Sequence, residues 1–225
     1  MSMIDLFYLQ IPSLSDFEQY KNKLFQYLPK EEQSDYLQKD FNKARLSSFL
    51  GKVLLYQLAK QRINLFDNIK FSYHKQGKPY FKEYPDFHFN ISHSSDYVIV
   101  AVSNGEVGVD IERFREYNRP LAERFLHPEE FLFLESLDKD KQSFYYTSIW
   151  NLKESYVKYT GEGIADTFKD FSIDMKNESV IEIKNNKLPV SFKQIQEIPN
   201  YLISVCHTKS ISAYSIELIN IEDLL

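Results

Sequence analysis

The chain has a single cysteine in 225 residues, Cys206. One cysteine excludes a disulfide within the chain and a cysteine-rich zinc site. It lies in the apolar run Tyr201-Leu-Ile-Ser-Val-Cys206, where a buried strand residue is favoured over a nucleophile. Positive charge is also short: 27 Lys and Arg against 32 Asp and Glu give a net charge of -5. The overall field therefore argues against nucleic acid or an anionic membrane as partner, and a polyanionic ligand would have to be met by a local basic cluster. No segment approaches the ~20 apolar residues that span a bilayer. The stretch Met1-Ser-Met-Ile-Asp lacks the basic region and apolar run of a secretory signal, so the expectation is a soluble, cytoplasmic protein.

Several sequence signatures are missing as well. There is no Gly-x-x-x-x-Gly-Lys-Ser/Thr loop and no Gly-x-Ser-x-Gly elbow. Gly161-Glu-Gly163 lacks the third glycine and the preceding strand of a dinucleotide fingerprint. Low-complexity segments and flexible linkers are absent. One Trp stands against 16 Tyr and 18 Phe, which points to a core built from single rings.

What is present is globular: 43% apolar and 16% aromatic residues, in a length that allows one large domain or two small ones. A strand at Met3–Gln10 precedes a helix capped near Ser13 or Ser15 and closed by Pro29. A long helical pattern follows from Glu31 to Lys60, with a break near Asp40. Its Leu46, Phe49, Leu50, Val53 and Leu54 recur at helical spacing and should face a core. Strands read at Ile69–Tyr73, Lys78–Lys82, Phe87–Ser92 and Tyr97–Ser103. Asn104-Gly105 signals a hairpin into Val107–Glu112. Helices return at Leu121–Phe125, Pro128–Leu137 and Lys141–Thr160, the last stopped by Gly161 and Gly163. The remainder alternates as β-structure at Phe171–Met175, Val180–Lys184, Leu188–Ile195, Tyr201–His207 and Ile211–Glu217. Helix-then-strands thus occurs twice, and Tyr97-Val-Ile-Val-Ala-Val102 weakly echoes Tyr201-Leu-Ile-Ser-Val-Cys206. The expected architecture is α+β, two similar halves (1–112 and 113–225) meeting near residue 112.

The most informative stretch is Val107-Gly-Val-Asp-Ile-Glu112. As a strand it sends Gly108, Asp110 and Glu112 to one face, with the two carboxylates ~7 Å apart. Their repulsion would be relieved by a hard cation, and Gly108 leaves room for a ligand to approach; the alternative is a solvated sheet face. On the helix Trp150-Asn-Leu-Lys-Glu-Ser-Tyr-Val-Lys158, residues Trp150, Glu154 and Lys158 share one stripe. That is either an exposed ion pair beside a core tryptophan, or a third carboxylate and a cation suited to Mg²⁺ and a phosphate-bearing substrate. Phe89-Asn-Ile-Ser-His-Ser94 puts Ser92 and His93 at a strand end, where they could meet phosphate oxygens or merely cap a turn. Gly77-Lys-Pro-Tyr80 alone reads as an ordinary turn.

In this order, Gly77-Lys-Pro79, Phe89-Asn-Ile-Ser-His93, Gly108-Val-Asp-Ile-Glu112 and Trp150-Asn-Leu-Lys-Glu-Ser155 with Lys158 resemble the large, Sfp-like phosphopantetheinyl transferases. The resemblance is sharp over Gly77–Gly163. It implies two similar halves related by pseudo-twofold symmetry, with the active site in the cleft between them. It implies Mg²⁺ on Asp110, Glu112 and Glu154, and coenzyme A as co-substrate, its phosphates met by Ser92, His93 and Lys158 and its nucleotide by Lys78 and Pro79. For the 3'-phosphate Arg45 is the nearest match, with Lys43 and Lys52 as substitutes. The reaction implied is transfer of phosphopantetheine to a serine of an apo acyl or peptidyl carrier protein, releasing 3',5'-ADP. Glu154 would be the base, directly or through metal-bound water. Lys153 could hold Glu154 or touch phosphate, Trp150 would pack, and Glu130 would support the site. Exposed apolar residues on the Leu121–Leu137 helices would meet the carrier, and a monomer would suffice. The rival readings are a magnesium-dependent enzyme for another nucleotide and a noncatalytic binding module.

Overall fold

The computed structural model describes residues 2–38, 40–63, 70–162, 167–174, 179–183, 190–208 and 211–225. Strand β1 (Ser2–Gln10) opens the chain. The Ser13 hydroxyl then accepts from the Asp16 amide at 3.1 Å and starts α1 (Leu14–Glu18). The helix expected up to Pro29 divides here, because α2 (Lys21–Phe25) is a separate turn. The long pattern also breaks where expected, giving α3 (Lys30–Leu37) and α4 (Lys43–Ile63). Asn42 restarts the chain by accepting from the Arg45 amide at 2.9 Å. Four strands follow: β2 (Ser72–Tyr73), β3 (Pro79–Tyr80), β4 (His88–Ser94) and β5 (Tyr97–Ser103). Then come β6 (Val107–Arg113), α5 (Arg119–Phe125), α6 (Pro128–Ser136) and α7 (Lys139–Thr160). Gly161 ends α7 in the left-handed region, φ 73°, which costs glycine little. A 3₁₀ turn, Thr167–Asp170, leads to β7 (Phe171–Asp174), β8 (Ser179–Ile183), β9 (Ser191–Ile195), β10 (Tyr201–His207) and β11 (Ile211–Ile219). A last 3₁₀ turn spans Ile221–Leu224. Ile69, Gly163, Met175, Lys184 and Leu188 lie outside the described residues.

The strands form two main sheets, ordered β11-β1-β5-β4 and β6-β10-β9. The hairpin expected at Asn104-Gly105 is not formed. Strand β5 already has β1 on one edge and β4 on the other, so β6 leaves for the second sheet and pairs antiparallel with β10. Strand β11 returns to lie parallel to β1.

Period-two alternation explains the layering. On β5, Val98, Val100 and Val102 face α4, joining Leu46, Phe49, Leu50, Val53 and Leu54 in one core. Ile99 and Ala101 face the other way, toward Val107, Val109 and Ile111 of β6 and Ile203 and Val205 of β10. Beyond the second sheet, Cys206 and Phe192 pack with Leu152, Tyr156 and Val157 of α7. The mixed α+β chain is therefore layered helix, sheet, sheet, helix. Cys206 is fully buried, and burial raises its thiol well above the usual range, as a core strand residue requires. The Tyr97 and Tyr201 rings meet at 5.0 Å, and Ser103 hydrogen bonds His207 Nε2 at 3.0 Å. The echoed strands β5 and β10 thus touch at equivalent residues at both ends. Among the described residues no helix is long and apolar enough to cross a membrane.

Candidate active site

The site begins with β6. Its apolar residues fill the space between the sheets, so Gly108, Asp110 and Glu112 turn toward α7. Gly108 leaves no room for a ligand, contrary to expectation. A Cβ there would lie well under 3.0 Å from the Ser155 carbonyl oxygen and the Tyr159 amide nitrogen. The missing side chain lets strand and helix backbones touch, and that contact presents Asp110 to the α7 face carrying Asn151, Glu154, Ser155 and Lys158.

A second strand arrives by side chains. Asn90, Ser92 and Ser94 of β4 accept from the amides of Val109 (2.9 Å), Ile111 (3.4 Å) and Arg113 (3.2 Å) on β6. This register delivers the Ser92 hydroxyl to Asp110 Oδ1 at 2.8 Å. Lys158 Nζ donates to the same Oδ1 at 2.6 Å and to Ser92 Oγ at 2.7 Å. Asn151 Nδ2 donates to Asp110 Oδ2 at 2.8 Å. Three of the four motifs, those on β4, β6 and α7, therefore meet at one carboxylate.

Around it the charges are coupled. Glu112 forms an ion pair with Arg115, whose guanidinium lies 5.5 Å from the centroid of Trp150. Trp150 packs edge-on against Phe125 and Phe168, so it both fixes the helix and seats Arg115. Glu154 is buried; desolvation first, and then the Asp110 charge, push its carboxyl up to about 7 against the pull of Lys158 and Arg115. His93 is solvent-exposed, yet enough protein surrounds its ring that desolvation, and next Lys158, lower its pKa, with Asp110 opposing.

Among the described residues, no three His, Cys, Asp or Glu side chains converge as a ready-made metal cage. Asp110 and Glu112 are instead turned to Lys158 and Arg115. The donor set nevertheless suits a hard cation: three buried carboxylates, all oxygen ligands, with Glu154 raised partly by its repulsion from Asp110.

Lys153 faces neither Glu154 nor the site. Its fully buried ammonium lies 3.0 Å from Glu130 and donates to the carbonyls of Phe168 and Phe171. Glu130 also accepts from the amides of His127 (2.9 Å) and Ile173 (2.8 Å), closing the cap of α6 and holding β7. The acid thereby ties α6 and β7 to the buried face of α7.

Lys78 Nζ donates to Glu106 (2.8 Å), the Tyr159 carbonyl (2.9 Å) and the Val107 carbonyl (3.3 Å), tying the Gly-Lys-Pro turn to the start of β6 and the end of α7. Two clefts share His74, Lys78 and Glu106. One, of about 550 Å³, reaches Tyr159 and Thr160; the other, of about 250 Å³, is walled by Pro79, Tyr80 and Phe81. Arg45 is not brought to Asp110: it donates to the Asp35 carbonyl at 2.6 Å and lies over Tyr36. Lys52 shares that ring and pairs with Glu32 at 2.7 Å, while Lys43 pairs with Asp96 at 2.7 Å.

Sequence reasoning missed Asn151, Arg115 and Asn90. Asn151 was legible, since it precedes Glu154 by three and Lys158 by seven residues on one helical face. Asn90 sits two before Ser92, at strand spacing. Arg115 carried no signal, because its role depends on how the chain turns after β6.

Residues 106–206 match the family model of the 4'-phosphopantetheinyl transferase superfamily, and residues 12–105 match that of the 4'-phosphopantetheinyl transferase N-terminal region. The 4'-phosphopantetheinyl transferase gsp of Aneurinibacillus migulanus is 33% identical over 99% of this chain and 94% of its own. Sfp of Bacillus subtilis, also a 4'-phosphopantetheinyl transferase, is 32% identical over 79% of this chain and 81% of its own. The L-aminoadipate-semialdehyde dehydrogenase-phosphopantetheinyl transferase of Mus musculus is 27% identical over 57% of this chain and 47% of its own.

Proposed function

This chain belongs to the 4'-phosphopantetheinyl transferase superfamily, and on that premise we propose that it moves the 4'-phosphopantetheine arm of coenzyme A onto a serine of an apo acyl or peptidyl carrier protein. The observation that carries the reading is the convergence of Ser92 and Lys158 on Asp110, whose charge also raises the buried Glu154 carboxyl. The carrier hydroxyl attacks the phosphorus bearing the pantetheine arm. A new P–O bond forms to the serine, the bridging P–O bond of the diphosphate breaks, and 3',5'-ADP leaves with the electron pair.

Each residue has a physical task. Lys158 supplies a point charge to the diphosphate, exposed His93 offers a ring donor beside it, and the buried Ser92 hydroxyl, which donates to Asp110, turns to phosphate when that carboxylate takes the ion. Glu154 is the base we assign to the serine proton, directly or, where Mg²⁺ would hold its carboxylate, through an intervening water. Mg²⁺, held by Asp110, Glu112 and Glu154, would supply charge neutralisation for the diphosphate and its leaving group. Lys158 and Arg115 stand in as counter-charges to two of those acids. The clefts beside Lys78 and Pro79 have the size and mixed lining suited to the nucleotide end. Arg45 and Lys52, grouped at Tyr36, are the cations we assign to the 3'-phosphate, with Lys43 as a more remote alternative.

The organisation we favour is two similar halves, 1–112 and 113–225, with the site at their junction. The paired contacts of β5 with β10 and the side-chain seam of β4 with β6 support it. Exposed Leu121, Leu132 and Phe133 on α5 and α6 offer an apolar face to a carrier. We further propose a cytoplasmic monomer that needs neither nucleic acid nor membrane. The test is product analysis: coenzyme A, Mg²⁺ and an apo carrier should yield 3',5'-ADP in equal amount to modified carrier. Release of any other nucleotide would refute the reading. A panel of apo carriers ranked by rate would identify the partner class.

A further inference from the structure

Asp110 is the end point of a hydrogen-bond chain that runs away from the site through the interior. A carboxylate only accepts, so the Asn151 atom 2.8 Å from Oδ2 is the amide nitrogen. Asn151 Oδ1 then faces Ser204, whose hydroxyl donates to it. With its hydrogen so used, Ser204 Oγ accepts from Gln194 Nε2 at 3.0 Å. The second hydrogen of Gln194 Nε2 goes to the Ser148 carbonyl at 3.2 Å, and its Oε1 accepts from Ser148 Oγ at 2.7 Å. The carboxylate at one end and a main-chain carbonyl at the other dictate every orientation between them. The chain links β6, α7, β10 and β9, and Asp110, Asn151, Ser148 and Ser204 are each at most 4% exposed.

We infer that Asn151, Ser204 and Gln194 are positioning residues that fix the Asp110 carboxylate for metal binding. Asn151 occupies Oδ2 from behind, leaving Oδ1 to the side where Ser92 and Lys158 gather. A connected network of this kind, buried over most of its length, resists rotation, and losing one member frees the acid to turn. Partners that orient a ligating carboxylate are worth 10- to 100-fold in metal affinity by general experience. The inference rests on the reading of Asp110 as a magnesium ligand.

The test is direct titration of Mn²⁺, as a stand-in for Mg²⁺, into wild type and the Asn151→Leu, Ser204→Ala and Gln194→Leu variants by electron paramagnetic resonance. It is paired with circular dichroism to confirm the fold. Asn151→Leu and Ser204→Ala should weaken Mn²⁺ binding by about tenfold or more, and Gln194→Leu by a smaller factor in the same direction. Gln194 is only half-buried, so its variant keeps the test informative if a buried substitution unfolds the chain. Wild-type-like affinity, within about threefold, in the folded Ser204→Ala and Gln194→Leu proteins would overturn the positioning role. A wild type that binds no Mn²⁺ would instead overturn the assignment of Asp110 as a ligand.

Discussion

Lys153 points its ammonium at Glu130, 3.0 Å away, and not at Glu154, its neighbour in sequence. Consecutive helical residues diverge by about 100°, so Lys153 and Glu154 serve different faces of α7. Burial dominates both partners, raising the Glu130 carboxyl and lowering the Lys153 ammonium. Removing one charge strands the other in the interior. Lys153→Met should therefore cost about 3–5 kcal/mol in urea unfolding, and Lys153→Met with Glu130→Gln should recover part of that loss. Equal instability of the single and double variants would contradict a coupled pair.

Gly108 should be intolerant of even one carbon. Gly108→Ala places Cβ against backbone atoms of Ser155 and Tyr159, which have no rotamer to change. The expected loss is about 3 kcal/mol or more, read as a fall in the urea midpoint. A wild-type midpoint would mean that β6 and α7 are further apart than described.

Lys158→Ala should weaken coenzyme A binding about tenfold or more while leaving carrier binding nearly unchanged, because its ammonium sits at Asp110 and not on an outer face. Calorimetry with each ligand separates the two. Equal losses for both would remove Lys158 from the phosphate site.

Glu154 gives a pH-dependent signature. Its carboxyl is raised to about 7, so around neutrality part of the metal-free molecules carry the proton. Metal binding must expel it, releasing a fraction of a proton per site that shrinks as pH rises. Titrating Mg²⁺ in buffers of different ionisation enthalpy reads that number directly. It should fall toward zero above pH 8 and vanish in Glu154→Gln; no buffer dependence near pH 7 would show that Glu154 is not displaced by the ion.

Much of this was legible in the sequence, for physical reasons. Val107, Val109 and Ile111 alternate with Gly108, Asp110 and Glu112, so period two alone separates core from site. The α4 stripe from Leu46 to Leu54 follows from helical spacing. The failures are long-range. Asn104-Gly105 is a local turn signal, but which sheet β6 joins depends on edges already taken by β1 and β4. Gly108 looked like space for a ligand until the α7 backbone filled it. The partners of Arg45, the Asp35 carbonyl and the Tyr36 ring, likewise come from the packing of α3 on α4 and have no signature along the chain.

Transfer of phosphopantetheine by the proposed carboxylate site on β6 and α7 is measured most directly by intact mass spectrometry of an apo carrier protein after incubation with coenzyme A and Mg²⁺. Wild-type enzyme should add one phosphopantetheine mass to the carrier. Chelation of the metal, Asp110→Ala or Glu154→Gln should each slow that addition by about 10²–10⁴-fold in folded protein. Near-wild-type modification by either variant, or no mass change with wild type across acyl and peptidyl carriers, would contradict it.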